Sequence, residues 1–495
     1  MNQSPEEHDV PGGFKRELTL LDSTMIVVGS MIGSGIFIVS ADIARTVGSP
    51  GYLLLVWLIT GFITIIGALS YGELAGMMPH AGGQYVYLRE AYNPLTGFLY
   101  GWTLFLVIQT GTIAAVAMAF AKFTAVIIPS LGERNVLIAI GAFTLTASQT
   151  VAIVSILLLT FINTRGLHGG KLVQDFFTVA KTAALIGLIV AGILIGRNAT
   201  AIAANFSGIW HATWTRLADG NIVSITPITG ITLLAAMGVA MVGSLFSSDA
   251  WNNITFTAGE VINPRRNIPL SLALGTGIVT LLYLLANIAY LLVLPVTGTP
   301  GAEDVLGRGI QFAMNDRVGT AAASMIFGAP AALMMAALIM ISTFGCNNGL
   351  ILAGARVYYA MANDGLFFRK TGILNEKSVP GVALVVQAVW ASILCLTGTY
   401  SDLLDYVIFA VLIFYILTVG GIFILRKRRP DVQRPYRAFG YPAIPILYIG
   451  AAAAVAVDLL IFKPTYTWPG VGIVVSGIPV FYLWRWRRRR SLRPG

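Results

Sequence analysis

Apolar runs long enough to cross a bilayer recur from one end of this chain to the other, separated by short polar stretches. Lipid offers no partner to a backbone N–H or C=O, so a span must satisfy both internally, and a helix needs about 20 apolar residues to do it. Twelve such runs are legible, at about 21–46, 51–76, 95–127, 136–160, 172–196, 227–258, 269–295, 327–361, 381–399, 402–425, 442–462 and 468–485. A membrane barrel would instead alternate over segments of about ten residues. The chain therefore reads as an all-α integral membrane protein. Composition agrees: 11% of the 495 residues are charged, against about 25% in a soluble domain.

The net charge of +10 could suggest a nucleic-acid partner, but its placement excludes one. Most lysines and arginines fall in alternate loops and the two tails: Lys15 and Arg16, Arg89, Arg165 and Lys171, Arg265 and Arg266, Arg369 to Lys377, Arg426 to Arg437, and Arg485 to Arg493. This is the positive-inside bias, and with an even number of spans it puts both termini in the cytoplasm. The expected organisation is a cytoplasmic tail at 1–20, a ten-helix core at 21–425, two further helices behind a basic loop at 426–485, and a basic tail at 486–495. The polar start, Asn2 to Val10, lacks the features of a signal peptide, so the first span is read as uncleaved. External excursions are expected at 198–221 and 297–320. Cys346 and Cys395 lie inside apolar runs and form no disulfide or metal framework. No phosphate loop, nucleophile elbow, paired carboxylates or metal-ligand spacing occurs, so ATP drive, an enzyme activity, a cofactor and a metal are not expected. Nor is there the selectivity motif of a potassium-type channel.

Two spans are interrupted. The first carries Val28-Gly29-Ser30-Met31-Ile32-Gly33-Ser34-Gly35-Ile36-Phe37, and each glycine weakens a helix by about 1 kcal/mol relative to alanine. A break there, with a second half starting near Ser34 and Gly35, would direct N–H groups and a positive dipole end at an anion. The competing reading is a small-residue packing face. The sixth span repeats the pattern as Val242-Gly243-Ser244-Leu245-Phe246-Ser247-Ser248-Asp249-Ala250-Trp251, five spans on. Paired interruptions at corresponding positions point to an inverted repeat with a ligand site near the midplane. Two intramembrane charges stand out, Asp249 and Lys181, each costly unless it faces the protein interior. Asp249 either contacts a ligand side chain or caps the break, and Lys181 could otherwise snorkel to an interface. Gln109 and Thr112 in the third span either line a pocket or join helices.

Three motifs together resemble the amino acid–polyamine–organocation transporter superfamily, and within it the L-type amino acid transporter branch. They are Gly29 to Phe37; Trp251-Asn252-Asn253 followed by Gly259-Glu260-Val261-Ile262-Asn263-Pro264-Arg265-Arg266-Asn267-Ile268-Pro269; and Ser342-Thr343-Phe344-Gly345-Cys346-Asn347-Asn348-Gly349 leading to Arg356 and Asn363-Asp364-Gly365. The resemblance covers about 20–430. It implies the five-plus-five inverted repeat of the leucine-transporter type, with helices one and six broken and two peripheral helices. It implies a sodium-independent secondary transporter of L-amino acids, an exchanger; a proton-coupled symporter, a polyamine exchanger or a nutrient sensor on the same fold are the alternatives.

By the same resemblance, Gly33 and the N–H groups of Ser34 and Gly35, with the Ser34 hydroxyl, would take the substrate carboxylate. Carbonyls near Met31, Phe246 and Asp249 would take the amino group, Ser247 would also belong to the substrate site, and Phe246 would be an aromatic gate. Lys181 would stand in for a sodium ion, held by the carbonyl near Gly29 and the hydroxyls of Ser342 or Thr343. Ser248, Trp251 and Asn252, with Gln109 and Thr112, complete the expected pocket, and Arg356 would pair with a loop acid. Animal light subunits of this branch bind a glycoprotein through a cysteine between spans three and four; here 128–135 holds none, so no disulfide-linked heavy subunit is expected.

Overall fold

The structure, a computed structural model, describes residues 14–141, 143–218, 221–397 and 400–491. Helix α1 (Leu20–Met31) starts at a capping box in which Thr19 and Asp22 satisfy each other's backbone N–H. After a gap come α2 (Gly35–Ile38), α3 (Ser40–Val47), α4 (Pro50–Met77), α5 (Gln84–Ala91) and α6 (Pro94–Ile127), the last containing a π-helical segment at Leu104–Ile108. Then follow α7 (Ala147–Thr164), α8 (Leu167–Leu194), α9 (Ala199–Phe206), α10 (Gly230–Ser247), α11 (Asn253–Phe256) and α12 (Pro264–Val293). The chain closes with α13 (Val318–Phe327), α14 (Ala331–Asn363), α15 (Gly381–Leu394), α16 (Tyr400–Arg428), α17 (Ala443–Phe462) and α18 (Pro464–Ser491). Among the described residues, eleven stretches are long and apolar enough to cross a membrane.

Several expectations need correction. The fourth span begins at Ala147, because 136–146 forms an antiparallel hairpin of β1 (Val136–Ile140) and β2 (Phe143–Thr146). Its β-branched residues favour strands, and Gly141 supplies the positive φ, +59°, that the turn needs. Thr146 then caps α7 in a box with Gln149. The ninth span, expected over 381–399, is a 14-residue helix ending at Leu394; it is about 21 Å long, short of a roughly 30 Å hydrocarbon core. The sixth starts at Gly230 because β3 (Thr213–Ala218) and β4 (Asn221–Pro227) occupy the preceding residues. Asn205 ties this excursion to the end of α12, its amide donating to the carbonyls of Leu291 and Leu294. The basic tail expected at 486–495 is helical through Ser491; 1–13 and 492–495 lie outside the described residues.

The core is arranged around the interruptions. Helix α1 packs among α8, α12 and α14, and α10 lies against α3, α4 and α16. At the end of the bundle carrying the basic loops, buried Arg356 pairs with buried Glu260 at 2.8 Å. There too, Glu73 of α4 holds Arg426 at 2.6 Å and accepts the Ala438 N–H at 2.7 Å.

Candidate functional site

The chain leaves helical geometry at Ile32 and resumes it at Gly35, where no side chain caps the new first turn. The carbonyls released by this break find partners on three other helices. The Lys181 ammonium, 1% exposed on α8, donates to Gly29 O at 2.5 Å, Ile32 O at 2.6 Å and Ser342 O at 3.3 Å. The Ser342 hydroxyl of α14 donates to Gly33 O at 3.0 Å and reaches Ile32 O at 3.3 Å. Cys346, one turn further on α14, directs its thiol at Ser30 O. A charged donor is what a cluster of freed, buried carbonyls requires, since each one left unpaired costs about 1–3 kcal/mol.

The second break follows Ser247. Ala250 takes a left-handed conformation, φ +67°, before the chain turns into α11. The Asp249 N–H donates to the Phe246 carbonyl at 3.2 Å, while its carboxylate accepts the Tyr415 hydroxyl of α16 at 2.6 Å. The two breaks touch each other. A Cβ on Gly35 would stand 2.0 Å from Ser247 Oγ, and the Tyr283 hydroxyl of α12 lies 3.0 Å from both Met31 O and Ser247 O.

Beside the second break are two small spaces. One, of about 10 Å³, is lined by Asp249, Asn252, Gln109, Thr112, Gln84 and Tyr100, among others. The next, of about 20 Å³, is lined by Asp249, Ser248, Trp251 and Tyr415. Both are water-sized, so the elements around them must part before they hold anything larger. Trp251 packs edge-on to Tyr71 at 4.7 Å, and Asn252 donates to Gln84 at 3.0 Å. Gln109 also joins helices, donating to the Leu350 carbonyl at 2.8 Å.

The residues singled out from the sequence thus fall into two groups. Met31, Gly33, Ser34, Gly35 and Ser247 gather where the breaks meet; Gln109, Thr112, Ser248, Asp249, Trp251 and Asn252 surround the two spaces. Phe246 is buried beside the second break and lines neither space. The expected hydroxyl partners of Lys181 are a correction. Ser342 meets the ammonium through its carbonyl, and Thr343 turns its hydroxyl onto Ile339 O and Met340 O of its own helix. Ser342 spends its hydroxyl on the break itself, and Thr343, one residue on, points a different way around the helix. Tyr283 and Tyr415 carry no local signal in the sequence, and Cys346, read there as a small buried residue within a family motif, also meets the first break. Arg356 does pair with a loop acid, Glu260; burial pushes that carboxyl's pKa up while the guanidinium pulls it back.

A bundle of membrane-spanning helices in which two interrupted helices meet at a buried polar centre has the architecture of a membrane permease. The match to a known family runs over residues 18–483. The chain belongs to the amino acid permease family, within the amino acid–polyamine–organocation superfamily, whose members are transporters rather than enzymes. It is 29% identical over 484 residues to the human large neutral amino acids transporter small subunit 2, covering 97% of this chain and 83% of that protein. To the mouse b(0,+)-type amino acid transporter 1 it is 27% identical over 485 residues, covering 97% and 91%.

Proposed function

We propose that this protein is a sodium-independent secondary transporter of L-amino acids in the cytoplasmic membrane, working as an exchanger by alternating access between two halves of an inverted repeat. The observation that carries the reading is the Lys181 ammonium, seated among the carbonyls of the first break where a monovalent cation would otherwise be required. A second positive charge within about 4 Å would cost several kcal/mol at an effective dielectric near 20, so no sodium ion joins it. The start of α2 at Gly35 offers backbone N–H groups and a positive helix end to the substrate carboxylate. The Met31, Phe246 and Asp249 region offers carbonyls to the amino group, and Phe246 closes over the bound molecule. Both similar proteins are named as amino acid transporters, which supports the substrate class. The basic loops support cytoplasmic termini, and the absence of cysteine from 128–135 supports a permease without a disulfide-linked heavy subunit.

Asp249 favours a second, narrower reading. A carboxylate facing the small space beside Gln109 and Thr112 suits a substrate with a cationic or hydrogen-bonding side chain, and one similar protein is of the b(0,+) type. The experiment is counterflow in proteoliposomes, with labelled amino acid inside, a panel of unlabelled ones outside, and choline replacing sodium. Efflux that needs an external amino acid and persists in choline is expected. Strict sodium dependence would defeat the reading of Lys181, and accumulation driven by a pH gradient with no internal substrate would replace exchange by proton symport.

A further inference from the structure

At the basic end of the bundle lies a solvent-open hollow of about 340 Å³, its charged lining side chains other than Glu260 exposed and its volume far larger than that of the two spaces at the second break. Four separate segments wall it: the approach to α1 with Lys15 and Glu17, the α7–α8 junction with Arg165 in the turn and His168 in the first turn of α8, Glu260 beyond α11, and the α14–α15 loop with Glu376 and Lys377. Lys15, Arg165 and Lys377 contribute positive charge, and Glu17 and Glu376 negative; none of the five is ion-paired with another described residue. Arg165 instead places its guanidinium over the Phe161 ring, 4.5 Å from its centre.

One wall is also firmly anchored. Glu260 is held by Arg356, which reaches it through both Nε at 3.2 Å and Nη2 at 2.8 Å, and both side chains are buried. The segment before α1 is strapped to the same place. Leu18 N–H donates to Glu260 O at 2.9 Å, Ile262 N–H donates to Leu18 O at 2.8 Å, and the Phe14 ring packs on Tyr359 of α14 at 4.9 Å. The cavity is therefore bounded by the elements that lead directly into both interrupted helices, and by the start of the helix that carries Lys181.

We propose that this cavity is a second binding station for a zwitterionic amino acid, occupied at the basic face before or after passage of the Arg356–Glu260 pair. The inference rests on the transport reading above. Charges of both signs around one hollow match a ligand that carries both: the α-carboxylate for Arg165, Lys15 and Lys377, the ammonium for Glu17 and Glu376. A phosphate or an anionic headgroup would meet repulsion from the two glutamates, which is how a site rejects the wrong ligand.

The test measures exchange of radiolabelled L-leucine and L-arginine in right-side-out and inside-out membrane vesicles, so that KM is read at each face. Arg165→Gln with Lys377→Gln should raise KM at the basic face about fivefold, the upper end for a solvent-reached ion pair, with KM at the other face and the maximal rate unchanged. Arg165→Lys with Lys377→Arg should restore it. Equal shifts at both faces, or none at either, would overturn the proposal while leaving amino acid transport standing. A shift that is seen in these vesicles but is lost in proteoliposomes of zwitterionic lipid alone would assign the cavity to an anionic headgroup and overturn it as well. A wild type that moves no amino acid refutes the transport reading itself, and the station with it.

Discussion

Replacing Lys181 tests the centre of the site most directly. The ammonium makes three contacts, but they are not equivalent. Gly29 O has Lys181 as its side-chain partner; Ile32 O retains the Ser342 hydroxyl at 3.3 Å. Ser342 O lies mid-helix, where a main-chain N–H one turn on serves it. Lys181→Met keeps most of the stem and removes the charge, so its main cost is one carbonyl left unpaired and one weakened, about 1–3 kcal/mol for the first and less for the second. The desolvation of a buried ammonium is no longer incurred, which offsets part of this. A net loss of about 2–3 kcal/mol is well inside the 5–15 kcal/mol typical of folded domains, so the variant should express and insert with a lowered melting temperature. Exchange should nonetheless fall at least tenfold, because the break loses the charge that joins α1, α8 and α14. Lys181→Ala adds a cavity and should be less stable still. Exchange rates in proteoliposomes and thermal unfolding in detergent give the two readouts. A Met variant with wild-type exchange would refute the argument, since the ammonium would then be packing rather than part of the working site.

Gly35→Ala puts a Cβ 2.0 Å from Ser247 Oγ and 3.2 Å from Ser247 Cα; it should abolish exchange with membrane expression retained, and Ser247→Gly should recover part of it by removing the nearer clash. Asp249→Asn should change the ranking of cationic against neutral substrates in competition assays, whereas a pure helix cap would leave the ranking intact; Tyr415→Phe, which removes the 2.6 Å hydrogen bond, should move it in the same sense. Arg356→Gln strands a buried carboxylate and should lower stability by about 3–5 kcal/mol, while Arg356→Met with Glu260→Gln, which removes both charges, should cost less. A double variant less stable than the single one in thermal unfolding would show that the pair stabilises through packing rather than charge.

Much of this molecule can be read from its sequence because lipid permits so little. Length and hydropathy alone mark most of the spans, since a backbone in hydrocarbon has to be helical, and runs of glycine and serine mark where a helix stops. The charge on Lys181 likewise requires it to face inward, and the 1% exposure is the consequence. Other features were beyond that reasoning. Val136 to Thr146 is as apolar as a span, and hydropathy does not distinguish a β-branched hairpin from a helix. Which atom of Ser342 meets Lys181, and that Thr343 does not, depends on rotation about a helix by one residue. Tyr283 and Tyr415 are ordinary aromatics in apolar spans until α12 and α16 bring their hydroxyls to the breaks. Sequence determines where the backbone must be satisfied within its own segment; only the tertiary structure decides which distant side chains satisfy it where that segment is broken, because those partners are far apart along the chain and meet only through helix packing.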